Sequence, residues 1–209
     1  HVLSVGGVRD EAFDPVGVTA EELRRLNTVY FPVISESAKQ EMSERITATR
    51  ALGDSLGGVV ECAVTGLPVG LGSHMFGGVE NVLSSILFGI PALKGLEFGA
   101  GFRAAEMTGS ANNDSFYYNE SGLVQTETNH AGGVLGGMAS GMPLVFRAAF
   151  KPTPSIVAAQ ATVDLQARTN VRIAIKGRHD PCIGPRAAVA VEAATAVAVC
   201  ELMLREGRL

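Results

Sequence analysis

The chain has 209 residues, 46% of them hydrophobic and 18% charged, with a formal net charge of −4. That length and apolar content allow a sizeable core in one domain and exclude a disordered chain. The charge is uneven. From residue 140 onward nine Lys or Arg face five Asp or Glu, a net +4, while the first 139 residues carry eight against sixteen, a net −8. The late basic residues are interleaved with apolar ones, which points to a local anion site and not to nucleic-acid binding.

Taken in chain order, Val2, Leu3, Ser4 and Val5 read as a strand already under way. With no Met before His1, the expectation is a fragment lacking an N-terminal portion; an expression remnant is the alternative. Thr19 is an N-cap, with Glu22 three residues on, so a short helix runs through Leu26. Met42, Ile46 and Thr49 recur at helical spacing in a helix over residues 37–52, which Gly53 stops. Residues 57–64 form a strand rich in β-branched side chains, and residues 66–72 a turn-rich connector. A third helix over 78–88 places Val79, Val82, Leu83 and Ile86 on one face, and Pro91 ends it before a strand over 93–98.

Residues 107–128 are polar and mixed, a long loop or hairpin of the length usually tied to function. Residues 132–141 are a Gly/Ala/Ser segment. Strands follow at 144–150, 161–166 and 171–175, and Pro185 opens a long closing helix from Arg186 to about Leu204. Helices mixed with late hairpin-like strand pairs argue for an α+β fold with antiparallel sheet, not a doubly wound parallel one.

No run is read as long and apolar enough to cross a bilayer, because Glu192 and Glu201 interrupt the stretch 187–204. No basic-then-apolar signal segment is present. Cys62, Cys182 and Cys200 fit neither a zinc pattern nor a disulfide framework, so they read as reduced thiols in a cytosol. His1, His74, His130 and His179 are scattered, with no metal-ligand spacing.

Two late runs carry the chemistry. In Lys151, Pro152, Thr153, Pro154 and Ser155, two prolines fix the backbone while two hydroxyls, an ammonium and free N–H groups form a stiff anion cradle. A rigid strand exit with a solvated lysine explains the run equally well. Lys176, Gly177, Arg178, His179, Asp180 and Pro181 pack cations, an imidazole and a carboxylate into one turn. The arginine fork suits phosphate or carboxylate, and the aspartate stays ionised beside cations and can accept a proton. A surface turn with internal ion pairs is the plainer reading. Arg186 at the start of the last helix is poorly placed for the helix dipole, so a compensating anion is expected near it. The paired glycines of 132–137 match neither a dinucleotide fingerprint nor a P-loop. Taken alone they read as a tight turn, and the adjacent Asn129–His130 as structural.

Together these runs resemble the chorismate synthase family in identity and order. The resemblance rests on Gly-Asp-Ser-Leu-Gly-Gly at 53–58, Gly-Leu-Pro-Val-Gly-Leu-Gly at 66–72, Ile-Pro-Ala-Leu-Lys-Gly at 90–95, Thr-Asn-His-Ala-Gly-Gly at 128–133 and the two late runs. It covers nearly the whole chain and implies a single-domain core over 1–209. It also implies an α+β, β-α-β sandwich of antiparallel sheets packed on central helices. The implied activity is the anti 1,4-elimination of phosphate from 5-enolpyruvylshikimate-3-phosphate, a small-molecule phosphate substrate, to give chorismate. Reduced FMN is the cofactor, although no net redox change occurs.

By the same resemblance, cofactor contacts fall on Pro91, Ala92, Gly136, Lys151, Pro152, Thr153, Pro154, Ser155 and Arg178. Asp180 corresponds to a carboxylate that moves a proton at the flavin, and Arg178 also serves the substrate's anionic groups. No metal, nucleic acid or membrane is implied, and a cytoplasmic homo-oligomer, tetramer or dimer, is. Two departures stand out. The family's N-terminal Phe-Gly-Glu-Ser-His-Gly signature, with the histidine and arginines of that region, is absent, and residues 72–77 lack the usual Glu-Pro and Phe-Asp pairs. A non-catalytic folded core or oligomerisation fragment is therefore the alternative.

Overall fold

A computed structural model describes residues 1–177 and 179–208. Its centre is a five-stranded, wholly antiparallel sheet in the order β2-β1-β3-β9-β4. The strands are β1 (Val2–Val5), β2 (Val8–Arg9), β3 (Gly58–Val64), β4 (Leu93–Phe98) and β9 (Leu144–Phe150). The first two helices are α1 (Ala20–Asn27) and α2 (Glu36–Ala51). They are followed by α3 (Val79–Leu87), the short α4 (Gly109–Asn112) and the closing α5 (Gly184–Arg205). Three two-stranded ribbons complete the chain: β5 (Phe116–Tyr118) with β6 (Val124–Thr126), β7 (Val134–Leu135) with β8 (Met138–Ala139), and β10 (Gln160–Asp164) with β11 (Thr169–Ile173).

The α+β expectation holds, and its local signals are visible. Thr19 Oγ1 accepts the Glu22 N–H at 3.1 Å, as its capping position requires. The second helix starts one residue earlier than its sequence suggests, because Ser35 and not a later serine accepts the Ala38 N–H. Gly53 stops it at φ +70°, a conformation in which a side chain would be strained. In the last helix Pro185 sits in the first turn. The polar region 107–128 resolves into α4 and the β5–β6 hairpin.

Strand periodicity divides the sheet into two faces. Val60, Phe146, Ala148 and Phe150 join Val79, Leu83 and Leu87 of α3 and Val191, Ala198 and Leu202 of α5 in one buried cluster. Because α5 buries every third or fourth residue there (Ala187, Val191, Thr195, Ala198, Leu202), it serves as the core helix of this layer. It is 22 residues long, and its most apolar 18-residue stretch nevertheless has mean hydropathy 1.9, enough by length and composition to cross a membrane. The expectation that Glu192 and Glu201 break this stretch is thus corrected. Two charges do not offset a run so rich in Ala and Val.

On the opposite face lies a row of charge. Arg147 on β9 is directly across from Glu61 on β3 and Glu97 on β4. Its Nε donates to Glu61 Oε1 at 2.9 Å and its Nη1 to Glu97 Oε1 at 3.1 Å. Glu61 is fully buried. It also accepts the Phe13 N–H at 2.7 Å and faces the His1 ring at 3.0 Å, and that ring's other nitrogen lies 3.2 Å from Asp10. Burial alone would push the Glu61 carboxyl up, but the His1 and Phe13 hydrogen bonds and the Arg147 charge together hold it below its ordinary value.

Candidate active site

The two late runs meet at one end of the sheet, where β9 leaves and β3 enters. Pro152 lies against Gly57, where an added Cβ would stand 2.7 Å from the Phe150 carbonyl oxygen and 3.2 Å from the proline ring. Only glycine admits so close an approach. The Ser55 hydroxyl donates to the Thr153 carbonyl at 2.7 Å. Val157 and Ala158 both donate to the Gly53 carbonyl, at 3.0 and 3.1 Å. From the other side, Leu56 N–H donates to the Pro181 carbonyl at 2.7 Å, and Leu56 forms a parallel bridge with Cys182. The segment that follows α2 is thus the clamp that holds both runs.

Between them opens a crevice of about 390 Å³, in the range of small-molecule sites. Ser155, His179 and Asp180 come from the predicted runs, Arg50 comes from the last turn of α2, and Asp54 and Ser55 come from the segment that follows it. A second, more open cavity of about 570 Å³ shares Arg50, His179 and Asp180 and adds Tyr30 and Arg186. Asp180 is fixed on both oxygens. One forms an ion pair with Arg186, and the other accepts the Cys182 N–H at 3.4 Å. The anion expected beside Arg186 is therefore Asp180 itself. The buried Nε2 of His179 has no hydrogen-bond partner among the described residues, the kind of orphan that a polar ligand satisfies.

The other predicted residues distribute as follows. Lys151 is exposed, and its N–H donates to the Ala92 carbonyl at 3.0 Å, so Pro91 and Ala92 lie beside the cradle. Ala92 holds φ +71°, a conformation costing a non-glycine residue about 1–2 kcal/mol and one that concentrates at functional sites. The Pro154 carbonyl accepts from Gln160 at 3.1 Å. Gly136 is not brought to this place. It turns the β7–β8 ribbon, whose Gly137 carbonyl accepts the first N–H of α3, while Pro91 follows that helix's far end, a separation of about 13 Å along the axis. Arg178 lies outside the described residues.

Asn129 proves to be a staple. Its amide donates to Pro15 and Pro143 and its oxygen accepts the Gly133 N–H. Next to it, Asp114 accepts the backbone N–H groups of His130 and Ala131 and the Thr128 hydroxyl. Those bonds overcome the effect of burial, which would raise its carboxyl, and hold it below its ordinary value. The residues that sequence reasoning missed are Arg50, Asp54 and Ser55. Their signal was the clustered glycines around 53–58, which mark a close backbone approach without saying which side chains share it.

The antiparallel α+β layer carries at the end of its sheet a polar crevice of small-molecule size, lined by Arg50, Asp54 and Asp180. The chain belongs to the chorismate synthase family, whose profile matches residues 1–204. It is 46% identical over 207 residues to the chorismate synthase of Methanosarcina mazei, covering 99% of this chain and 55% of that protein. It is 48% identical over 204 residues to that of Agathobacter rectalis, covering 98% and 53%. A crystal structure of a chorismate synthase superposes with a TM-score of 0.76 at 26% identity, over 98% of this chain and 56% of that one. The chain thus spans about half the length of the curated relatives it matches.

Proposed function

We propose that this chain carries part of the flavin and substrate site of a chorismate synthase, a lyase of aromatic amino-acid biosynthesis. In that reaction 5-enolpyruvylshikimate-3-phosphate loses its phosphate, through C–O cleavage, and a proton, through C–H cleavage. Chorismate and inorganic phosphate result, with no net redox change. The observation that carries the reading is that Ser155 and Asp180, from separate family motifs, line one crevice.

The residues at the sheet's end fit a flavin mononucleotide. Lys151, Thr153 and Ser155, on a proline-stiffened backbone, suit its phosphate, while the strained Ala92 and its neighbour Pro91 lie beside them. The orphaned His179 nitrogen gives the crevice an unspent polar contact. Reduced FMN, when bound, supplies an electron-rich ring to a reaction that returns it unchanged. Asp180, held by Arg186, takes up or returns a proton at that ring. Arg178 completes the anion set in this reading, which for that residue rests on the family motif alone. Expelling phosphate demands positive charge aimed at the departing group, and the basic late segment supplies it. A cytoplasmic homo-oligomer over a single-domain core completes the proposal.

The test is an FMN titration followed by an anaerobic assay with reduced FMN and 5-enolpyruvylshikimate-3-phosphate, scored for chorismate and released phosphate. The reading expects FMN to bind without competition from other nucleotides. Turnover by the chain alone shows that the family's histidine-bearing signature is dispensable. A protein that binds no FMN overturns the reading.

A further inference from the structure

We propose that Arg50 is an anion-binding residue of the crevice, a guanidinium that takes the phosphate-class group of the bound ligand. The identity of that ligand rests on the chorismate synthase reading; the chemistry of the contact does not.

Three observations carry it. First, Arg50 lines both the 390 Å³ crevice and the 570 Å³ cavity beside it, so it stands on the wall the two share. Second, it forms no side-chain hydrogen bond or ion pair among the described residues. The other arginine lining these cavities among the described residues, Arg186, is committed to Asp180. Arg50 therefore presents an unspent planar fork of donors, the geometry that matches phosphate oxygens in pairs. Third, the local charge requires it. Asp54 and Asp180 both face the crevice. The Asp180 charge is matched by Arg186, but among the described residues Asp54 is met only by the Ser55 N–H, at 2.8 Å. Without Arg50 the described wall, its imidazole aside, is left net negative, which repels a phosphate. With Arg50 that excess is cancelled, and the fork, the Ser155 hydroxyl and the His179 edge remain to receive an anion.

A rival role exists, since Arg50 occupies the last turn of α2, where a cation complements the helix dipole. That role changes stability and leaves ligand affinity alone, so the two separate cleanly. Arg45, exposed on the same helix and outside both cavities, is the matched control.

The experiment measures FMN binding by flavin fluorescence, and inorganic phosphate both directly by calorimetry and as a competitor. The proteins are wild type, Arg50→Gln, Arg50→Lys and Arg45→Gln, each checked for an unchanged far-UV spectrum. Expected is a loss of at least tenfold in affinity for both probes in Arg50→Gln. Arg50→Lys should fall between it and wild type, because lysine keeps the charge without the fork, and Arg45→Gln should stay within twofold. If phosphate binds through Arg50 and FMN does not compete, the anion contact stands and the flavin reading fails. If FMN binds wild type and Arg50→Gln within twofold, the flavin reading stands and Arg50 is a helix-end cation only. A wild-type protein that binds neither probe overturns the proposal. Should Arg50→Gln misfold, Arg50→Lys decides: affinity equal to wild type for both probes then counts against the fork.

Discussion

Two polar regions of this molecule use the same residue types to opposite ends. Across the middle of the sheet, Glu61, Arg147, Glu97, His1 and Asp10 are joined to one another and to backbone N–H groups, and Glu61 is wholly out of water. At the sheet's end, Arg50, His179 and Ser155 line a crevice with hydrogen-bonding capacity left over. The comparison teaches that saturation, more than charge, separates a structural network from a binding site. A buried charge with every contact met holds strands together, and an unmet one at a cavity wall is ready for a ligand.

The largest effect should come from the saturated side. Removing one member of a buried pair leaves the others uncompensated, so Glu61→Ala should cost about 3–5 kcal/mol of unfolding free energy, read as a lower midpoint in denaturant with an unchanged slope. A cost under about 1 kcal/mol would erase the distinction between the two regions. Next is acid. The folded state holds the Glu61 and Asp114 carboxyls below their ordinary values of 4.5 and 3.8. Each therefore adds stability that is present above those values and lost as pH falls through the lowered ones. Thermal unfolding followed from pH 7 downward should show its steepest decline below about pH 4.5, and Glu61→Gln should flatten it.

On the unsaturated side the expected stability effects are small. Arg186→Gln removes an ion pair whose arginine is 60% exposed, so it should change stability by less than about 1 kcal/mol. FMN affinity should still fall, because Asp180 is released to repel the ligand's phosphate. Smallest of all is a labelling contrast. Burial pushes the Cys62 thiol up to about 12, while Cys200 is exposed. Iodoacetamide at neutral pH should modify Cys200 first and reach Cys62 only on unfolding.

Much of the frame was legible in the sequence because it depends on local signals. The β-branched run at 58–64, the strands at 93–98 and 144–150, the Thr19 cap and the Pro185 start all lie within a residue of their expected places. Long-range facts were not legible. Nothing near Glu61 announces that Arg147 stands opposite it 86 residues later, since that depends on strand register. The two late runs carried enough chemistry to mark a site, yet they did not reveal the clamp at 53–56 or the arginine that ends α2. The apolar length of α5 was underestimated because its two glutamates drew more weight than its alanines and valines.

The central claim is that the 151–155 run and the 176–181 turn form one ligand site. Amide hydrogen exchange with and without FMN tests it directly. The account predicts that FMN slows exchange at residues 153–157 and 179–182 together, with saturation at the same concentration, and leaves the exposed β10–β11 ribbon unchanged. Protection of one segment without the other, or of neither, would contradict it.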